Sequence, residues 1–249
     1  MSPLFQALLS GALVGLAFPL GALLSRLNPF GHKGYAAAMA LGAGLLLAVA
    51  LSDLLPHASD AAGVGTAALA FVGTALVYSL VNRWLAARGA EHRKRCGGCQ
   101  APASETQQEG SGLAITVGSV MDAVPEALVL GSVAAMGGVS GALVAALVLG
   151  NVAQSMSATS GLRESGRSPR YVWTLWCVVG GGVALLALLA CFANARLPHT
   201  AQPVLMAVAA GALVAMIAEA MLPEASEHAP PFIGLLAALG AIVFLVLHA

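Results

Sequence analysis

Eight apolar stretches, each of roughly the 20 residues a helix needs to cross a bilayer, constrain this chain more than any other feature. They cover residues 4–25, 34–55, 65–86, 113–136, 139–162, 171–193, 201–222 and 231–248. In lipid a segment must satisfy its own backbone polar groups, so stretches of this kind fold as helices. Only 9% of the residues are charged and 59% are hydrophobic, whereas a soluble domain carries about 25% charged residues. A water-facing surface cannot be built from so few charges, and the expected fold is all-α, an integral membrane bundle of eight transmembrane helices. The first run lacks the basic start and the short core closed by small residues that mark a cleaved signal, so it reads as a retained span.

Short cytoplasmic connections are enriched in Lys and Arg. Ten of the eleven such residues fall in odd-numbered connections: Arg26 and Lys33 in the first, Arg83, Arg88, Arg93, Lys94 and Arg95 in the third, Arg163, Arg167 and Arg170 in the fifth. The even-numbered connections hold only Arg196. Both termini are therefore expected on the non-cytoplasmic side, which an even number of spans permits. The resulting organisation is one transmembrane domain, with helices one to three in residues 1–86, a flexible cytoplasmic loop over 87–112, and helices four to eight in 113–249. The eleven basic and eleven acidic residues balance, so nothing points to a nucleic-acid partner. Many of the 29 glycines lie in the spans, where small residues let backbones approach; Gly180-Gly181-Gly182 is the extreme case. The bilayer is the expected environment, in the plasma (inner) membrane of a bacterium, and a homodimer is compatible with the chain.

Ionisable groups at the centre of a transmembrane helix cost about 2.5–3.5 kcal/mol each on insertion scales, which makes every one a functional candidate. In the fourth span Asp122 and Glu126 are four residues apart, so on a helix both carboxylates share a face. Two neighbouring carboxylates in low dielectric repel each other, and the pair calls for a cation or protons. Pro125 between them has no amide hydrogen, which frees the carbonyl of Met121. The alternative is a kinked helix whose acids bond to neighbouring helices.

The fifth span carries a polar stripe that includes Asn151, Gln154, Ser155, Ser157, Thr159 and Ser160. Asn151 and Gln154 can face one neighbour, and amide oxygens are neutral ligands for hard cations. The same residue types also serve as interhelical glue, and both readings stand. Asp53 and His57 flank Pro56 at the outer end of the second span, while Glu219 and Glu224 flank Pro223 toward the inner end of the seventh. If those helices are adjacent, the two groups form an entrance and an exit for a cation; otherwise they are solvated helix ends. His92, Cys96 and Cys99 place an imidazole and two thiols within eight loop residues. Thiolates favour Zn or Cu(I), although a structural zinc site takes four ligands, and a redox-active or incidental pair is the other reading.

Taken together, these segments resemble the motifs of the ZIP (Zrt/Irt-like) metal transporters. Asp122 to Ala127, with Pro125-Glu126-Ala127, is similar to the family's His-Asn-x-Pro-Glu-Gly motif; Asn151 to Ser155, leading to Leu162-Arg163-Glu164-Ser165-Gly166, resembles its second Pro-Glu-Gly motif and the basic turn after it. Asp53-Leu54-Leu55-Pro56-His57-Ala58 and Glu219-Ala220-Met221-Leu222-Pro223-Glu224-Ala225 look like its His-Leu-Leu-Pro-Glu and Glu-Glu-x-x-Pro-Glu-Ala segments.

The resemblance implies a binuclear metal centre between the two motif helices. Carried over by position, it puts Asp122 in place of the motif histidine, keeps Glu126, puts Ala123 where the motif asparagine stands, and gives Asn151 and Gln154 from the fifth span. Gly150 and Val183 fall where further ligands are expected, so one metal keeps its ligands and the second loses most of them. The remaining set is oxygen only, apart from a thioether of Met121, which is harder than a zinc site rich in imidazole and leaves room for Mn²⁺ or Fe²⁺.

The function this implies is a divalent metal-ion permease for Zn, Mn, Fe or a related cation. Its midplane site comprises Asp122, Glu126, Gln154 and Asn151, with Met121, Ser155, Asp53, His57, Glu219 and Glu224 along the path. The metal is cargo, and no tightly bound cofactor or enzymatic activity is expected. The alternative is a membrane metal sensor or partner that keeps the transporter fold without transporting.

Overall fold

A computed structural model describes residues 1–27, 31–85, 111–136, 138–227 and 232–248. Among them every regular element is a helix, in the order α1 (Pro3–Leu27), α2 (Gly31–Ala48), α3 (Leu55–Ala62), α4 (Val64–Leu85), α5 (Ser111–Ala135), α6 (Gly141–Glu164), α7 (Pro169–Arg196), α8 (Gln202–Met216), α9 (Leu222–Glu227) and α10 (Ile233–His248). Wide π-helical turns, Val49–Leu54 and Ile217–Met221, join α2 to α3 and α8 to α9. The ten helices thus form eight rods. Seven are long and apolar enough to cross a membrane, and α10 is apolar but shorter. The protein is an integral membrane helical bundle.

The second and seventh rods continue past the ends expected of them, because their prolines do not stop the helix. Pro56 and Pro223 cannot donate to the carbonyl four residues back, and their rings crowd that turn. The chain widens instead. Just before each proline, Leu55 donates its amide to Ala50 O and Leu222 donates to Ile217 O, a spacing of five residues that defines the π turn. Asp53 and Glu219 lie inside these turns, and His57 and Glu224 lie in the helices beyond them, so none of the four is at a helix terminus.

Connections show ordinary chemistry. Gly166 at φ +87° ends α6, with its own amide bonded to Arg163 O and that of Arg167 bonded to Leu162 O, the Schellman pattern that favours glycine. Ser140 and Ser168 cap α6 and α7 by accepting from Leu143 N and Tyr171 N. Between α7 and α8, Gln202 Nε2 donates to the carbonyls of Asn194 and Leu197 at 3.1 and 3.3 Å.

The rods sort into two bundles. In the first, α1 lies along α6 and α7, and α5 lies along α7; in the second, α2 packs on α10, α4 on α8, and α3 on both α4 and α8. The border between them is formed mainly by α2 against α6 and α5 against α8. Small residues set these approaches. A Cβ on Gly15 or Gly180 would collide with the other's carbonyl, and one on Gly44, Gly240 or Gly211 would strike the backbone of Ala237, Leu41 or Phe71. Gly181 and Gly182, by contrast, have no neighbour within 4 Å of a built Cβ, so only the first glycine of that triplet serves the α1–α7 crossing. Trp176 stacks on Phe18 with centroids 5.6 Å apart and donates its indole N–H to Thr159 Oγ1 at 2.8 Å, tying α1, α6 and α7 together. Large apolar side chains on α1, α4 and α10, including Leu16, Leu69, Leu76 and Val246, point outward, as lipid contact requires.

Candidate functional site

α5 runs unbroken through Pro125, so the four-residue spacing of Asp122 and Glu126 holds as a helical one. Both carboxylates are only 1% exposed. Each meets a neutral donor from another helix. Tyr78 of α4 donates its hydroxyl to Asp122 Oδ1 at 2.5 Å, and Asn151 of α6 donates Nδ2 to Glu126 Oε2 at 2.6 Å. Asn151 is fully buried, and its Oδ1 accepts no hydrogen bond among the described residues. That oxygen is an unspent neutral acceptor beside a carboxylate, the kind of ligand a hard cation takes. Gln154, one turn further along α6, is buried as well. No group of three or more His, Cys, Asp or Glu suited to a metal occurs among the described residues, so the arrangement offers carboxylate and amide oxygen in place of imidazole or thiolate.

The other candidates divide. Ser155 donates to Asn151 O at 2.6 Å and to Val152 O at 3.1 Å, and it lies where a side chain on Gly21 of α1 would have to be. Its contacts are those of the α1–α6 crossing. Met121 is partly buried and packs against the hydrophobic core. His57 Nδ1 lies 2.7 Å from Asp53 O and 3.3 Å from Asp53 Oδ1, which leaves Nε2 directed away from Asp53. The two line a pocket of about 230 Å³ together with Val133, Met136, Gly138 and Met206, between the ends of α5 and α8. Glu219 accepts from Ser79 Oγ and from Asn82 Nδ2, the latter at 2.7 Å. Glu224 is buried. His92, Cys96 and Cys99 lie outside the described residues.

Helix rise orders these groups. From Met206 beside the Asp53 pocket to Glu219 is thirteen residues of helix, about 20 Å at 1.5 Å per residue. On α5, Val133 at the pocket is seven residues beyond Glu126, or about 10 Å. Asp122, through Tyr78, adjoins the turn of α4 that holds Glu219. The polar groups therefore form a row, from Asp53 and His57 through Glu126 with Asn151 and Asp122 with Tyr78 to Glu219 with Ser79 and Asn82. The three α4 residues were missed in the sequence. Their signal was Tyr78, Ser79 and Asn82 recurring within one turn of an apolar span, at spacings that send Tyr78 and the other two to different neighbours. No protein-family model matches the chain, and no curated protein matches it.

Proposed function

We propose that the chain is a divalent metal-ion permease of the ZIP type, holding one cation between α5 and α6. The observation that carries this reading is the pair Asp122 and Glu126, 1% exposed at the heart of a membrane bundle, with the amide of Asn151 against Glu126. Buried acids of this kind in a membrane mark ion paths. Asp122, Glu126, Asn151 and Gln154 supply oxygen ligands, a set suited to Mn²⁺ or Fe²⁺ and less to Zn²⁺. The pocket at Asp53 and His57 serves as the outer mouth and the Glu219 turn as the inner one, with both termini outside the cell and movement inward. The site borders both bundles, so rocking one against the other opens the two mouths in turn. Purified protein in proteoliposomes should carry Mn²⁺, Fe²⁺ or Zn²⁺ above empty vesicles, and the absence of flux for all three would end the permease reading.

A second reading is a metal sensor or silent partner. It is favoured by Tyr78 and Asn151 already hydrogen-bonding the two carboxylates, which lets the buried acids persist without a cation. Mn²⁺ binding without flux would select it.

A further inference from the structure

Four of the six residues around the pocket of about 230 Å³ carry metal-binding atoms: Asp53, His57, Met136 and Met206. The two methionines come from different helices. Met206 lies in α8 and is 3% exposed, whereas Met136 closes the last turn of α5 and is exposed, its amide bonded to Val133 O at 3.2 Å. A backbone carbonyl only accepts, so the His57 Nδ1 that lies 2.7 Å from Asp53 O carries the ring proton. Nε2 then keeps its lone pair. Metal-bound imidazoles are oriented in this way, with the second ring nitrogen donating to a carbonyl or carboxylate.

We infer that this pocket binds a soft monovalent cation, Cu(I) or its analogue Ag(I), through His57 Nε2 and the thioethers of Met136 and Met206. Thioethers select soft ions, and three rotatable bonds let each methionine bring its sulfur to the ion. The three ligands are neutral, and the carboxylate of Asp53 beside them matches a single positive charge. The oxygen set between α5 and α6 is of the opposite chemical class, so the two places sort cations by hardness. Met136 belongs to one bundle, and His57 and Met206 belong to the other. An ion held by all three ties the bundles together at this end. Where that tie stops the rocking of the permease, the soft ion is an inhibitor and not cargo; that consequence rests on the permease reading, and the binding itself does not.

Thiols also bind Ag⁺, so the test uses the full chain in detergent carrying Cys96→Ser, Cys99→Ser, Cys177→Ala and Cys191→Ala. Calorimetric titration with Ag⁺ in chloride-free buffer should show one ion bound, and Ag⁺ should raise the thermal midpoint. Met136→Leu with Met206→Leu keeps side-chain volume nearly constant. That pair, and separately His57→Gln, should weaken binding by about tenfold or more, since loss of a ligand costs at least what loss of its supporting hydrogen bond does. If the double variant fails to fold, Met136→Leu alone, at an exposed position, serves in its place. Absence of Ag⁺ binding, or binding that survives these substitutions, would overturn the site. Ag⁺ bound at the pocket by a chain that carries no Mn²⁺ would support the site and count only against the permease.

Discussion

A carboxylate in the interior of a membrane bundle persists only with partners, and Asp122 and Glu126 each have one from a different helix. Glu126 is the more telling of the two, since its partner Asn151 brings both a donor now used and an acceptor oxygen not yet used. Replacing the carboxylate by an amide keeps shape and packing but removes the charge. Glu126→Gln should therefore cut metal flux at least a hundredfold in proteoliposomes while leaving yield and thermal midpoint close to wild type. That loss corresponds to about 2.7 kcal/mol. Cys96→Ser with Cys99→Ser should leave basal flux within about twofold of wild type and alter at most its response to metal, a thiol pair being too few ligands for a closed zinc site. Asp122, Glu126 and Asn151 are legible in the sequence because charge and amide stand out against an apolar run. Tyr78 is not, since tyrosine is an ordinary residue of membrane helices and its role depends on which helix lies opposite. Ser155 shows the converse, a polar residue in the right stripe whose contacts belong to the α1 crossing.

At the level of the helix, hydropathy gives the eight rods but misjudges where two of them end. Proline reads as a terminator because it removes an amide and crowds the preceding turn. At Pro56 and Pro223 the wide turn absorbs both effects, and that accommodation depends on neighbours the sequence does not name. Glycine is ambiguous for the same reason. Gly180 sits against Gly15, whereas Gly181 and Gly182 face open space. Gly180→Val should lower stability by about 1–3 kcal/mol through overpacking, seen as a lower thermal midpoint in detergent. Gly181→Ala should be neutral or slightly stabilising, since it meets no neighbour and favours the helix.

For the whole molecule, the distribution of Lys and Arg gives a topology that can be read chemically. Single cysteines introduced near residue 2 and near residue 105 in a chain lacking its native cysteines should differ in reactivity toward an impermeant maleimide added to intact cells. The first should label and the second should label only after lysis; the opposite pattern would invert the orientation. What no periodicity in the sequence reveals is the division into two bundles. Helices in lipid choose partners by shape, as Gly44 chooses α10 and Gly211 chooses α4, and not by burying an apolar face.

The clasp made by Gln202 has a mechanical meaning. It fastens the first residue of α8 to carbonyls at the end of α7, which lack the usual helical partner four residues on, so the crossing from one bundle to the other is held by a side chain as well as by the main chain, a staple across the seam.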